Sequence, residues 1–473
     1  MTDDQAMNSF NPEVMPRTTQ LIADAGTVFN EFVVSTPLCC PSRATYLTGQ
    51  YAHNNGVVSN DPGYADLRDK DSTLPAWLGE AGYQTAHVGK FLHGYEETAL
   101  DPATPAPGFD EWHGMLRPFS YYGFDLSSNG RRVTHDRESY LTSTLTNKAV
   151  RVVTRGAASA EPLFLSVAYW APHGTRHSPG SSCDRAPAPA PGDRRLFEKE
   201  PLPRPASFDE RDVSDKPSFV RELPRLSREQ VKALRERYRC TLASLQAVDR
   251  GVERVYEAFD AAGEIDNTVF IFTSDNGYYF GEHRLSGKSL PYEEAIRVPL
   301  AIRLPAALQP EGRAVRKTSA MTANIDLAPT VLDLAGAEPC TPDDCRTMDG
   351  RSVLPLMLGD ETWPANRAVL LESHRNELDG QSCRYRAIRT TQVLYAEHAS
   401  VLDPRTGECR RASETERYDL AADPFELENL YPADSGSAER RYERELADRT
   451  AALATCAGVP GRDPEPTSGS YCE

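Results

Sequence analysis

Apolar residues recur at spacings of three and four through Val231, Leu234, Tyr238, Leu242, Leu245, Val248, Val252, Val255 and Phe259. That stripe predicts a long amphipathic helix over about 228–262. Ser227 with Gln230 makes a capping box at its start, and Gly263 supplies the stop. "NTVFIFTSDNG" follows, a β-rich run ending in polar residues. Strand followed by polar loop is the arrangement of an α/β sheet, whose ligands gather at the carboxyl ends of strands.

The same alternation runs through the first half of the chain. Residues 18–25 read as helix and "GTVFNEFVV" as strand; "TLPAWLGEAG" is a helix with a terminal Gly, and "YQTAHVGKF" is the strand after it. Residues 181–204, rich in proline and charge, read as a long surface loop. Beyond "MDGRSVLPLMLGD" the character changes: "RAVLLES", "CRYRAIRTTQVLYAE" and "ERYDL" predict short antiparallel strands, and 437–454 a polar helix. The expected organisation is a large domain over 1–360 and a smaller antiparallel one over 361–473. No repeat of 20 to 50 residues is present.

Composition narrows the function classes. The 473 residues, 39% hydrophobic, suffice for a substantial core. With 52 basic and 69 acidic residues and a net charge of −17, the chain has no cationic run suited to nucleic acid or an anionic membrane. The longest apolar stretch, "PLFLSVAYWAP", suits a buried strand and is too short for a membrane span. The opening residues, "MTDDQAMNSF", lack the basic and apolar regions of a secretory signal. None of the ten cysteines falls in a zinc-type spacing. Cys340 with Cys345, Cys383 with Cys409 and Cys456 with Cys472 are close enough in sequence for disulfides, which would place the chain in an oxidising compartment; proximity alone leaves free thiols as an equal alternative.

One stretch, "LCCPSRATYLTG", puts vicinal cysteines before Pro41, Ser42 and Arg43. Pro41 fits a first helical turn, so Cys39 is expected at a helix N-terminus, where backbone donors favour an anion. A pair of buried structural thiols is the plainer alternative, and a bond between neighbours would be strained.

That stretch resembles the C-x-P-S-R-x-x-x-L-T-G signature of type I sulfatases, in which the first cysteine is oxidised by a maturation enzyme to Cα-formylglycine. The resemblance assigns that role to Cys39 and extends over nearly the whole chain. Asp3-Asp4 in "TDDQ" and Asp275-Asn276 in "TSDNG" match the family's metal ligands, beside the modified Cys39. Such an oxygen-rich set suits a hard cation, Ca²⁺ or Mg²⁺, although each pair alone reads equally as a turn or cap. Arg43, Lys90 in "VGKFLHGY", His173 in "WAPHGTRHSP" and Lys288 in "GEHRLSGKSLPYEEAIRVPL" match cationic site positions. Apart from the motif, Lys90 and Lys288 read as solvated lysines and His173 as a core histidine. His173 is favoured over His177 because it directly follows the predicted strand. Where many members have a histidine two positions after the lysine, this chain has Leu92, with His93 one later.

The match is strongest to N-acetylglucosamine-6-sulfatases, in "LCCPSRATYLTGQYAHN", "GKFLHGY", "TSDNGYYFGEH" and "NIDLAPTVLDLAG". "RYDLAADPFELENLY" matches a further family segment to which no chemistry is assigned. The resemblance implies an alkaline-phosphatase-like α/β sandwich, a large mixed sheet flanked by helices, with a smaller C-terminal antiparallel α+β domain. It also implies hydrolysis of a sulfate ester, of a sugar or an aryl alcohol, by a hydrated aldehyde at Cys39. Asp275 would take the proton of the attacking hydroxyl, and His173, Lys288 or His283 would protonate the departing alcohol. Alternatives are a phosphatase or phosphonate monoester hydrolase of the same superfamily, or an inactive sulfated-glycan-binding relative. Family members place a hydrophobic strand before their first aspartates, and this sequence starts at "TDDQ". Asp3 and Asp4 are therefore expected on a fraying terminus, and secretion is expected only from a segment preceding it.

Overall fold

The computed structural model describes residues 1–98, 104–175, 183, 185–309, 317–342, 344–359, 363–374, 383–403, 405–433 and 436–473. Within them the helix–strand alternation builds two neighbouring sheets. In the first, the strands Gln84–Gly89, Glu111–Leu116 and Leu163–Ala168 are parallel, with Gln84–Gly89 in the middle, and the antiparallel strands Tyr122–Ser128 and Arg131–Tyr140 extend one edge. In the second, the order is Lys317–Thr318, Thr27–Phe29, Leu300–Arg303 and Phe270–Thr273, mixed in direction.

The edge strands Leu163–Ala168 and Phe270–Thr273 are joined at their carboxyl ends by the first residues of the chain. Met1 donates to Val167 O and accepts from Tyr169 N, while Thr2 donates to Thr273 O and accepts from Asp275 N. Asp3 and Asp4 are consequently buried at 0% and 5% exposure, which corrects the expectation of fraying. Pairing on both sides replaces the contacts that a free terminus would lack.

The long helix runs Arg228–Ala261, with both bonds of the Ser227–Gln230 capping box formed and Gly263 in the left-handed region just past its end. Its apolar stripe packs Leu234, Tyr238, Leu242, Leu245 and Val248 into a core shared with Val88, Leu145 and Phe272. Residues 18–25 are a short helix, Pro16–Thr18, continued by the wider turn Thr19–Ala23. "GTVFNEFVV" splits into Thr27–Phe29 and Phe32–Val33.

Four antiparallel strands form a C-terminal meander, Val369–Ser373, Tyr385–Arg389, Val393–Leu402 and Cys409–Asp419, followed by the helix Ser437–Leu453. The expected boundary at 360/361 lies outside the described residues. The meander shares one apolar core with Val33, Tyr51, Tyr279 and Tyr292. Disulfides join all three close cysteine pairs and also Cys183 to Cys240, whereas Cys39 and Cys40 are free, buried thiols. Among the described residues no helix is long and apolar enough to cross a membrane.

Candidate active site

Four strand ends and one helix start converge on Cys39. Leu38 is extended and Cys39 is the first residue of the helix Cys39–Thr48. Pro41 sits in that first turn, where its missing N–H costs nothing. Gly49 ends the helix at φ 66°, where an added Cβ would sit 3.0 Å from the Met348 sulfur. Lys90 follows the strand Gln84–Gly89, His173 lies beyond Leu163–Ala168, and Asp275 and Asn276 lie beyond Phe270–Thr273. Lys288 follows the two-residue strand Ser286–Gly287.

Their side chains interlock. The Cys39 sulfur is 3.6 Å from Asp3 Oδ1, and the Lys288 ammonium lies 2.9 Å from that sulfur. Lys288 also donates to Asp4 Oδ1 and reaches Asn276 Oδ1 at 3.5 Å. Arg43 donates from Nε to Asp275 Oδ2 at 2.8 Å, from Nη2 to Asp3 Oδ2 at 3.2 Å and from Nη1 to Lys90 O at 2.7 Å. Lys90 donates to Asp3 Oδ2. Asn276 Nδ2 donates to Asp4 Oδ1 at 2.8 Å, and the Asp4 amide to Asp275 Oδ1 at 3.1 Å. His173 Nε2 lies 3.7 Å from Asp4 Oδ2, while Nδ1 donates to Gly174 O at 2.7 Å.

Three buried aspartates thus face three fixed cations, Arg43, Lys90 and Lys288. Burial alone would raise Asp3, but Lys90, His173, Arg43 and Lys288 hold its carboxyl well below the usual range. Asp4 is lowered against burial by Lys288 and His173. Asp275 goes the other way, raised by burial and by Asp3. Lys288 stays charged because Asp4 outweighs its burial. Burial and Asp3 push the Cys39 thiol up to about 11.

The donor set fits a divalent cation. Atoms of Asp3, Asp4, Cys39 and His173 lie within 4.8 Å of one another; Asp275 Oδ1 accepts from the Asp4 amide, and the Asn276 side chain reaches Asp4 Oδ1 through its Nδ2. The Lys288 ammonium borders this set, resting between Asp4 Oδ1, Asn276 Oδ1 and the Cys39 sulfur.

His283 does not join this cluster. Its ring is fully buried, stacked on Tyr292, with Nδ1 2.7 Å from Glu210. No hydrogen bond or ion pair links it to Cys39 among the described residues, so the expectation that it protonates a leaving group is corrected: its polar edges are turned toward a separate acidic pocket. His177 lies outside the described residues. Cys40 is structural, its sulfur accepting from the His93 amide at 3.0 Å, and Leu92 is core. The His93 ring packs on Phe119, and burial pushes it down to about 2. Three supporting residues escaped the sequence reading. Trp170 stacks on His173, Tyr121 donates to His173 O at 2.8 Å, and Asn60 accepts from the Cys40 amide at 2.9 Å. Trp170 stands in the "WAPHG" motif and was within reach; Tyr121 and Asn60 carry no local signal.

A buried cysteine at a helix start, flanked by acidic strand ends and fixed cations, sits in an alkaline-phosphatase-like fold. The chain belongs to the sulfatase family, whose model matches residues 1–337, and residues 281–452 match the C-terminal domain described as that of N-sulphoglucosamine sulphohydrolase. This family uses a formylglycine and a divalent metal. The chain is 33% identical over 76% of its length to a putative extracellular sulfatase Sulf-1 homolog of Caenorhabditis elegans, and spans 48% of that protein. It is 29% identical to human N-acetylglucosamine-6-sulfatase, covering 98% of this chain and 85% of the relative. Among solved structures, a protein in complex with its substrate D-glucosamine-2-N,6-O-disulfate aligns with a TM-score of 0.76 and 25% identity over 95% of both chains. The phosphonate monoester hydrolase of Agrobacterium radiobacter shares the fold, with a TM-score of 0.71 and 20% identity over 99% of this chain and 97% of that one.

Proposed function

We propose that this protein releases inorganic sulfate from a sulfated sugar, with Cys39 as the residue converted to formylglycine. The observation that carries the reading is the Cys39 sulfur at the helix start, 2.9 Å from the Lys288 ammonium and 3.6 Å from Asp3. Asp3, Asp4, Asp275 and Asn276 are the residues to hold the cation, and their hard oxygen donors favour Ca²⁺, with Mg²⁺ the second choice. When present, the formylglycine supplies a hydrated aldehyde as nucleophile, and the cation draws charge from the ester's anionic oxygens.

The chain's own residues do the rest. Arg43 and Lys90 are locked by Asp3 and Asp275, so their charge is in place before substrate arrives and needs no reorganisation. Lys288, at 10% side-chain exposure, closes the pocket over Cys39 and meets the sulfate group there. His173 is the more exposed at 30%; with Nδ1 committed to Gly174 O, Nε2 faces the pocket and manages the proton of the departing alcohol. A glucosamine 6-sulfate is the favoured substrate, supported by the relatives' names and by the disulfated glucosamine bound in the similar structure. Secretion is supported by the extracellular relatives and by the disulfides. A formylglycine-generating enzyme is the partner required for maturation.

The test is coexpression with a maturation enzyme, mass spectrometry of the Cys39 peptide, and turnover of nitrophenyl sulfate, nitrophenyl phosphate and glucosamine 6-sulfate. Conversion of Cys39 with preferential sulfate release is expected. Faster phosphate turnover would move the protein to the phosphatase reading, and sugar binding without sulfate release would make it a binding relative.

A further inference from the structure

The chain holds a second convergence of ionisable side chains that the Cys39 site does not use. His283 lies between the short strands Tyr279–Phe280 and Ser286–Gly287, Glu294 on the helix Glu293–Ile296, and Glu426 beyond the strand Cys409–Asp419. One ligating atom from each lies within 4.8 Å of the others. His283 and Glu426 are both 0% exposed.

The histidine is oriented in a particular sense. Its Nδ1 is 2.7 Å from Glu210 Oε2, a carboxylate that accepts the N–H and leaves the lone pair on Nε2. That Nε2 has no hydrogen-bond partner, and Glu426 Oε2, at 4.0 Å, is beyond hydrogen-bond reach. Glu294 Oε2 and Glu426 Oε1 are likewise buried without a partner. Glu426 Oε2 accepts from the Glu293 amide at 3.1 Å, so each of the three residues keeps one buried acceptor without a donor, a costly arrangement that a cation completes.

We propose that His283 Nε2, Glu294 and Glu426 form a second metal site, for a divalent ion of the zinc class. One imidazole nitrogen with two carboxylates suits zinc better than calcium or magnesium, which prefer all-oxygen shells. A ligand histidine whose other nitrogen is held by a carboxylate is a recurrent support of such sites, and Glu210 fills that place. Tetrahedral zinc spaces its ligands about 3.3 Å apart, so small rotations of the two glutamates close the shell.

The ion ties the loop leading to Lys288 to the C-terminal segment. It also backs the loop carrying Asp275 and Asn276, because Tyr278 N donates to Glu294 O and Gly277 N to Ala295 O, both at 2.9 Å. Gly277 is held so close that an added Cβ would lie 2.0 Å from Glu294 O. The site is structural, and it stands independently of the sulfatase reading.

The full chain, stripped with EDTA, saturated with Ca²⁺, exposed to Zn²⁺ and desalted, is the material for the test. We expect one retained zinc per chain by mass spectrometry of the metal content, and a rise in melting temperature with added Zn²⁺. His283→Gln and Glu426→Gln each weaken zinc binding by about 100-fold or more, Glu210→Gln by about tenfold, and Asp4→Asn leaves it unchanged. Since a buried variant can misfold, X-ray absorption at the zinc edge of the unaltered protein gives a second readout: nitrogen and oxygen neighbours with an imidazole signature and no sulfur. No retained zinc, zinc retained by His283→Gln, zinc lost from Asp4→Asn, or a sulfur neighbour each overturns the proposal.

Discussion

The ammonium of Lys288 and the sulfur of Cys39 lie 2.9 Å apart, and Asp4 holds the same ammonium from its other side. On the proposed reaction at Cys39, a cation fixed beside it is worth most because both groups are largely buried. Lys288→Ala is therefore expected to lower kcat/KM for an aryl sulfate by about 10²- to 10³-fold, a loss typical of removing one preorganised charge. Conversion of Cys39, followed by mass spectrometry, should be unchanged. A loss of threefold or less would remove Lys288 from the reaction.

The two vicinal thiols should behave differently when replaced and alike when probed. Burial pushes Cys39 up to about 11 and Cys40 up to about 12, so both stay protonated near neutrality. Before maturation, iodoacetamide at pH 8 should label neither in the folded protein and both after denaturation. Cys40→Ala should fold, mature and keep most of its turnover, losing about 1 to 2 kcal/mol of stability for the small cavity. Cys39→Ala should abolish turnover. If Cys40→Ala instead blocks maturation, its sulfur has a role beyond accepting the His93 amide.

A pH-dependent contribution to stability is expected away from the active site. His53 Nδ1 is 3.1 Å from both oxygens of Glu372, and His374 Nε2 is 2.7 Å from one of them. Burial opposes the charge on His53, but Glu372 wins and raises it to about 9; burial likewise opposes Glu372, which His374 and His53 lower to about 2. The histidine's share is complete below its unfolded value of 6.5 and is lost as pH rises through about 9. The glutamate's share is complete above 4.5 and is lost as pH falls through about 2. Denaturant midpoints should therefore peak between pH 4.5 and 6.5 from this pair. His53→Gln should flatten the alkaline limb, a change on the order of 3 kcal/mol at most. An unchanged limb would show that other groups set it.

What the sequence made legible was local. The capping box at Ser227 and Gln230, the helix start at Cys39, and the strand ends before Asp275 and His173 are written in neighbouring residues. Cysteine proximity located three disulfides, but Cys183 and Cys240 are 57 residues apart and meet only through the fold. His283 shows the limit of motif reading: five residues before Lys288, it turns toward Glu210 and Glu426, groups whose approach depends on the C-terminal segment. Asp3 and Asp4 were misjudged because the burial of a terminus depends on strands far along the chain. Ala171 O and Thr273 O are the acceptors that secure it.

The junction that secures Asp3 also leaves a slot behind it. Between the edge strands Leu163–Ala168 and Phe270–Thr273 lies a cavity of about 660 Å³ lined by Leu163, Leu165, Val167, Phe270, Phe272 and Leu327. Met1 lines one end, where it pairs with Val167 and Tyr169 and the adjoining Thr2 pairs with Thr273 and Asp275. An engineered extension of about five apolar β-branched residues before Met1 would run on between the two edge strands, satisfy backbone groups on both edges and bury its side chains on both faces. At about 25 cal/mol per Å² of apolar surface, several kcal/mol are at stake, enough to raise the melting temperature by about 5 °C or more. An equally long Gly-Ser extension is the control and should give no rise. Calcium affinity should change by less than about threefold, because Asp3 and Asp4 are already anchored through Thr2, Arg43 and Asn276. A large gain in affinity with no gain in melting temperature would mean that the terminal aspartates frays after all, and that the pairing at Met1 and Thr2 is too weak to hold them.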